Sequence, residues 1–228
     1  FEGTYVNKLE CAGPGFINFY LNKDWAYDAL KIIIEEGDKY GTSDLYKGQR
    51  VMVEFVSANP TGPLHMGNAR GGALGDCIAN VLEASGYNVT REFYVNDAGN
   101  QIEKFGLSLE ARYMQQLNGA DSFPFPEDGY QGEDIKERAE EYIAQFGDKL
   151  LKAEPEVRRD ELVKFALPEN LKRIKKTLED YGVGFDVWFS EKSLHDDNSV
   201  ETTLNFMKEQ GYTYEKDDAV WFKSSMFG

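Results

Sequence analysis

The apolar positions near the start of this chain switch from the two-residue period of strands to the 3.6-residue period of helices. Residues 4–9 and 15–21 alternate apolar and polar side chains around a Gly-Pro-Gly turn, which predicts a short antiparallel pair. Residues 25–40 place apolar side chains at helical spacing, which predicts a helix that ends at a glycine. The polar, glycine-containing stretch 41–49 is predicted to be a linker. This first part of the chain is therefore expected to be a small α+β segment.

A different pattern begins at residue 51 and alternates strands with helices. The run VMVEFV (51–56) is nearly continuous in apolar residues, as expected for a strand covered on both faces. The helix predicted after it has four apolar residues on one face: Leu74, Ile78, Val81 and Leu82. A second strand, turn and helix follow at 89–113. This order is typical of a parallel α/β sheet.

The rest of the chain interrupts this alternation. Residues 117–132 are rich in Pro, Gly and Asp, and two helical patterns follow, of which the second runs from about 156 to 181. A strand at 185–189, a helix at 200–210 and a hairpin at 212–223 complete the pattern. The pattern predicts an α/β domain that carries a helical insertion and a later β-ribbon.

Composition narrows the class of protein. Apolar residues make up 41% and aromatics 14% of the 228 residues, which argues against disorder, and no apolar stretch is long enough to span a membrane. Two cysteines without a CxxC motif favour a reducing, cytoplasmic setting. His65, His195 and the cysteines lack metal-ligand spacing, so no structural metal site is expected. The net charge of −15 argues against a protein that coats nucleic acid nonspecifically.

The densest chemical signal is EFVSANPTGPLHMGNARGGALG (54–75). It combines the end of a buried strand, a rigid turn and a helix opened by small residues, and ligands of open α/β sheets bind at such places. His65 stands where it could meet a phosphate, and Gly67 would let a flat ligand lie on the backbone. Three further glycines would each cost a helix about 1 kcal/mol, so close approach to the sheet or a ligand is expected to compensate for them: Gly71, Gly72 and Gly75.

Glu54 is an acidic residue inside an apolar strand. Burying it unpaired would be costly. It therefore lies at the wet end of the strand or binds a cation, and we favour the second interpretation.

These motifs resemble the first signature of class I aminoacyl-tRNA synthetases, His-x-Gly-His in consensus, and in particular the arginyl-tRNA synthetase family. The resemblance extends to SANPTGPLH and ARGGALGD around the signature and to three other strings: CAGPGFINFYL, FYVNDAGNQ (93–101) and PEDGYQGE (126–133). It implies that residues 1–47 end an additional N-terminal domain. Residues 48–228 would be the first part of a Rossmann-like, parallel-sheet nucleotide-binding catalytic domain, with a helical insertion at about 117–181.

The resemblance also assigns roles to individual residues. His65 would face the ATP phosphates and Gly67 would lie beneath the adenine. Asn68 replaces the second histidine of the signature, and the resemblance assigns it catalytic, ATP-binding and arginine-binding roles. Unlike a histidine, its amide cannot become cationic. The other residues that would hold arginine are Glu54, Ser57, Asn59 and Glu191. A pocket element without an assigned role comprises Asn96, Asp97 and Gln101.

The implied reaction is activation of L-arginine by ATP with Mg²⁺, followed by transfer to tRNA(Arg), with activation dependent on bound tRNA. A monomer without membrane partners is expected. The second signature of the family, Lys-Met-Ser-Lys-Ser in consensus, is not found in the sequence. The chain is therefore expected to be an incomplete catalytic fragment that cannot aminoacylate alone. Two alternatives stay open, namely a nucleotidyltransferase of the same fold and a non-catalytic, synthetase-like binding module.

Overall fold

The computed structural model describes residues 2–228, which divide into two compact units. One unit comprises the chain up to Gln49 together with Val81–Asn88, and the other comprises Arg50–Asn80 and Val89–Gly228. The domain border predicted after residue 47 stays a prediction. Across the described part of the chain, no helix has the length and apolarity that a membrane crossing requires.

The first unit contains the predicted hairpin and helix. Strands β1 (Val6–Ala12) and β2 (Phe16–Leu21) pair antiparallel. Helix α1 (Asp24–Glu36) ends at Gly37, whose φ of 55° favours glycine. The loop that follows lies against the end of the next helix, because the Ser43 N–H donates to the Ala84 carbonyl at 2.8 Å. These elements confirm the α+β prediction.

The second unit is built on a three-stranded sheet. Its strands are β3 (Arg50–Glu54), β4 (Asn88–Val95) and β5 (Val187–Ser190), in the order β3-β4-β5. Strand β4 is central and runs parallel to β5. Helix α2 (Met66–Ala84) connects β3 to β4, as the alternation of strand and helix predicted.

Five helices and a hairpin follow the first two strands of the sheet. Their bounds are α3 (Asn100–Asn118), α4 (Glu133–Phe146), α5 (Pro155–Asp180), α6 (Glu191–Asp196), α7 (Ser199–Glu209), β6 (Thr213–Lys216) and β7 (Ala219–Phe222). Helix α5 continues through Pro168, and β6 and β7 form the predicted antiparallel hairpin. The short helix α6 was not predicted.

Helix α5 belongs to both apolar cores of this unit. Its first half packs with α3 and α4 around Phe105 and Tyr113, and its second half packs on the sheet against Phe55 and Phe93. Between the two cores, the buried Asn170 side chain donates to the Pro60 carbonyl at 2.9 Å. The long helix therefore holds the turn that follows β3.

The expectation that strand β3 is covered on both faces was wrong. Strand β3 is not covered on both faces, because Met52 is 55% exposed while its neighbours are half-buried. The apolar face of α2 is also open, since Leu74 is 63% exposed. The helix instead buries a face of small residues: Gly72, Gly75 and Ala79.

The physical reason is the closeness of helix and sheet. A Cβ at Gly75 would lie 2.2 Å from Phe55 Cγ, and one at Gly72 would lie 3.6 Å from Val56 Cγ2. Close approach therefore compensates for Gly75, as expected, whereas the distance at Gly72 is that of an ordinary van der Waals contact. Gly71 differs, because a Cβ there would meet nothing within 4 Å.

Candidate active site

The turn after β3 contains two consecutive non-glycine residues with positive φ, 64° at Val56 and 38° at Ser57. Such angles are uncommon, and a β-branched residue adopts them only under constraint. The turn brings Ser57 between two strands: its Oγ donates to Glu54 Oε1 at 2.8 Å and accepts the Tyr94 N–H at 3.1 Å. The strained backbone therefore joins the end of β3 to the end of β4.

Three carboxylates act on the Tyr94 phenol through their negative charge. Burial raises the pKa of Tyr94, and the negative charges of Glu191, Asp97 and Glu54 raise it further. Glu54 itself is exposed, so it lies at the wet end of its strand, and this position leaves it accessible to a ligand. The ends of three parallel strands thus present an acidic surface.

The residues after β4 connect this surface to β5. With its nitrogen turned toward the carboxylate, the Asn96 amide donates to Glu191 Oε2 at 2.5 Å, and its oxygen lies 3.2 Å from the Asn59 carboxamide. Asp97 accepts the Ser190 hydroxyl at 2.6 Å and the Lys192 N–H at 2.8 Å. Asp97 therefore fixes the start of α6, where Glu191 is located.

The start of α2 is organised by three signature residues. The Gly67 N–H donates to His65 Nδ1 at 3.1 Å, and the His65 N–H donates to Asn68 Oδ1 at 3.0 Å. Because His65 Nδ1 is an acceptor, the ring proton of the neutral histidine is on Nε2. The Asn68 contact is half of a capping box. Asn68 thus helps to begin the helix, a role that the sequence did not predict.

Gly67 is needed here for a reason other than the one expected. A Cβ at this position would lie 2.9 Å from His65 Cε1, so the missing side chain makes room for the imidazole. Contact between Gly67 and an adenine stays a prediction.

A cavity of about 560 Å³ opens beside these residues. It is lined by four predicted residues, namely Ser57, Asn59, His65 and Asn68. The other predicted residues do not line it: Glu54, Gly67, Asn96, Asp97, Gln101 and Glu191. Three of these six are hydrogen-bonded to residues that line it: Glu54 to Ser57, Gly67 to His65, and Gln101 to Tyr130.

Another part of the cavity lining comes from the predicted insertion. Tyr130, Gln131, Gly132 and Asp134 line it, as does Thr61 from the turn. Sequence reasoning assigned no role to these residues. The motif PEDGYQGE (126–133) could have indicated them, because it is part of the resemblance to the family, but no site residue was assigned within it.

Within residues 2–228, no group of three or more His, Cys, Asp or Glu side chains is arranged to hold a metal ion. These described side chains therefore form no site for a resident metal.

A cavity at the carboxyl ends of parallel strands, beside a helix N-terminus, is typical of nucleotide-binding α/β proteins. Comparison with known sequences defines the family. The model of the family described as "tRNA synthetases class I (R), catalytic domain" matches residues 29–222. The chain belongs to this family of class I synthetases.

Curated relatives and solved structures agree with this assignment. The chain is 65% identical over 227 residues to the arginine–tRNA ligase of Acetivibrio thermocellus and 59% identical to that of Ruminiclostridium cellulolyticum. In both cases all of this chain is matched, and it spans 40% of the relative's length. The crystal structure of a putative arginyl-tRNA synthetase from Campylobacter jejuni superposes with a TM-score of 0.77 at 32% identity, covering 91% of this chain and 45% of that one. This structural neighbour supports the Rossmann-like, class I fold.

Proposed function

We propose that the whole protein activates L-arginine with ATP and transfers it to tRNA(Arg), and that this chain supplies the amino-acid pocket and a phosphate-facing wall. The proposal rests on one observation, namely that hydrogen-bonded carboxylates lie beside a cavity that His65 lines. The carboxylates of Glu54 and Glu191 are hydrogen-bonded to Ser57 and Asn96, and the cavity beside them contains His65.

The acidic surface suits a guanidinium. This group is planar, permanently charged and donates bidentate hydrogen bonds to carboxylates. Glu54 and Glu191 are the carboxylates that we assign to it. Ser57 and Asn59, which line the cavity, would hold the α-amino and carboxylate groups and so direct the carboxylate of arginine toward His65.

The reaction then requires positioning and charge stabilisation. An oxygen of the arginine carboxylate attacks the α-phosphorus of ATP, and the bond to pyrophosphate breaks. In the second step a terminal ribose hydroxyl of the tRNA attacks the acyl carbon, its proton is lost and AMP leaves. The Nε2–H of His65 and the positive end of the α2 dipole would stabilise negative charge on the phosphate oxygens. Magnesium would arrive with the ATP phosphates.

Exchange of labelled pyrophosphate into ATP tests the proposal directly. We expect exchange by the whole protein to depend on L-arginine, with little activity for lysine or citrulline, and to require tRNA(Arg). Replacing His65 by alanine should lower the rate by about 10²–10³. The matched control is His195→Ala, because His195 is exposed on α6 and its side chain makes no hydrogen bond within residues 2–228.

Two results would contradict this function. Exchange that is independent of any amino acid would favour a nucleotidyltransferase. Binding of arginine and ATP without exchange, even with tRNA present, would favour a non-catalytic module.

A further inference from the structure

We infer that Gln101 is a positioning residue for the cavity and that it acts through Tyr130. The Gln101 amide oxygen accepts the hydroxyl proton of Tyr130, so the phenol oxygen keeps only acceptor lone pairs. This part of the lining therefore suits an N–H or O–H donor of a bound substrate. The inference rests on the proposed function, since it takes that donor to belong to arginine, ATP or the end of tRNA.

A polar stripe on α3 holds the loop at 123–130, which we call the anchored loop. Residues three or four positions apart share one face of a helix, and the stripe follows this spacing. One of its members, Arg112, places its guanidinium over the Phe125 ring, 4.4 Å from the ring centroid. The stripe consists of Gln101, Lys104, Ser108, Arg112 and Gln115.

The anchored loop runs antiparallel to α3. At the far end of the stripe, the Gln115 side chain donates to the Phe123 carbonyl at 2.8 Å. Nearer the start of the helix, Lys104 forms an ion pair with Asp128. The loop therefore ends with Tyr130 beside the first turn of α3.

Tyr130 is held at three points. Its N–H donates to the Oγ of the fully buried Ser108 at 2.9 Å, and its ring packs edge-on against Phe105 with the centroids 6.5 Å apart. Its hydroxyl donates to Gln101 Oε1. A Cβ at Gly129 would lie 3.0 Å from Ser108 Oγ, so the loop lies close to the helix. The Tyr130 ring is therefore fixed before any ligand binds.

Tyr130 lines the cavity, whereas Gln101 does not. Gln101 therefore acts on a ligand through Tyr130 rather than by contact. A phosphate or carboxylate would bring only acceptors to the phenol oxygen, and the carboxylate of Asp134 in the same lining would repel it. An amine or a hydroxyl group is consequently the favoured ligand at Tyr130.

This assignment gives a role to the last member of the pocket element. Asn96 bonds to Glu191, Asp97 fixes the start of α6, and Gln101 bonds to the anchored loop. The three residues thus join the end of β4 and the start of α3 to the elements on either side.

A double-mutant cycle in the whole protein tests the inference. The variants are Tyr130→Phe, Gln101→Met and the combination of both, with Gln101→Glu as a variant that keeps an oxygen acceptor. The control is Gln145→Met, because Gln145 is exposed on α4, does not line the cavity and makes no side-chain hydrogen bond within residues 2–228. We measure kcat and KM for arginine and ATP in pyrophosphate exchange and for tRNA in aminoacylation.

We expect Tyr130→Phe to raise the KM of one substrate by about three- to tenfold and to leave kcat nearly unchanged. Gln101→Met should raise the same KM, and it should have no further effect in the Tyr130→Phe background, because no hydroxyl is left to orient. Gln101→Glu should keep this KM close to the wild-type value. The substrate whose KM changes is the one that supplies the donor.

Three results would overturn the inference: additive effects of the two substitutions, an equal rise in all three KM values, or unchanged KM values in Tyr130→Phe. If Gln101→Met does not fold, Gln101→Glu decides, since a KM as high as that of Tyr130→Phe rejects the role of the acceptor.

If the wild type shows no arginine-dependent exchange, the proposed function fails separately. Calorimetric titration of L-arginine and of ATP into the same proteins then decides the inference. A non-additive loss of affinity for one of the two ligands supports it, whereas equal affinities in all variants, or binding of neither ligand, overturn it.

Discussion

At the scale of single residues, Gly75 shows how one absent methyl group lets α2 approach the sheet that carries the site. A Cβ there would lie 2.2 Å from Phe55 Cγ and would clash with the ring, which packs in the core. We predict that Gly75→Ala lowers the free energy of unfolding by about 1–3 kcal/mol, because overpacking displaces Phe55. Urea unfolding of the isolated chain measures this change.

Gly71 is the matched control for this prediction. It lies in the same helix, and a Cβ there would meet nothing within 4 Å. Gly71→Ala should therefore raise the free energy of unfolding by about 0.5–1 kcal/mol, because alanine is the better helix former. Equal effects of the two substitutions would show that the contact with Phe55 does not limit the approach of α2.

At the scale of elements, a buried ion pair joins α3 to α5. Arg158 donates to Glu110 Oε1 at 2.8 Å, and the exposed fractions of the two side chains are 8% and 3%. Replacing Glu110 by glutamine leaves a buried arginine without its counter-charge. We predict a loss of about 3–5 kcal/mol in the free energy of unfolding, read from the urea midpoint.

An exposed ion pair on α5 provides the comparison. Glu161 lies 3.3 Å from Lys164 with both side chains open to solvent. Glu161→Gln should change the free energy of unfolding by less than about 1 kcal/mol. If Glu110→Gln lowers the free energy of unfolding by no more than this, the charge of Glu110 contributes little to stability. Packing of side chains would then be what joins α3 to α5.

The elements were largely predictable because their signals are local. Hydrophobic period and glycine position depend on neighbouring residues, and they identified the hairpin of the first unit and the long helices. Helix α6 was missed because its six residues are too few to show a period. Hydrophobic period did not identify the buried face of α2, because small residues carry no hydrophobic signal, although they allow the closest packing.

The candidate site was predictable where its residues are contiguous. Ser57, Asn59, His65 and Asn68 come from one turn and one helix start, so a single string contains them. Tyr130 and Asp134 line the same cavity from a distant part of the chain. Their position there depends on how the insertion packs, which hydrophobic period does not encode.

At the scale of the whole molecule, the excess of acidic residues is spread along the chain. The net charge is −15, and many of the ion pairs are exposed, such as Lys47 with Asp44. Exposed pairs contribute little individually, whereas a large net charge destabilises the compact state through self-repulsion. Salt screens both the attraction within exposed ion pairs and the repulsion caused by the net charge. We expect the weaker repulsion to have the larger effect on stability.

We therefore predict that the melting temperature of the isolated chain at pH 7 rises by a few degrees between about 0.02 and about 0.3 M NaCl, as measured by calorimetry. Replacing Glu35 and Glu36 by glutamine reduces the net charge to −13, from −15 plus 2. Both are exposed residues at the end of α1, where negative charge opposes the helix dipole. The variant should melt higher at low salt and respond less to NaCl. Lys164→Gln, which makes the net charge more negative, −16 from −15 minus 1, should respond more to NaCl. A melting temperature that falls with NaCl would show that the exposed ion pairs outweigh the repulsion.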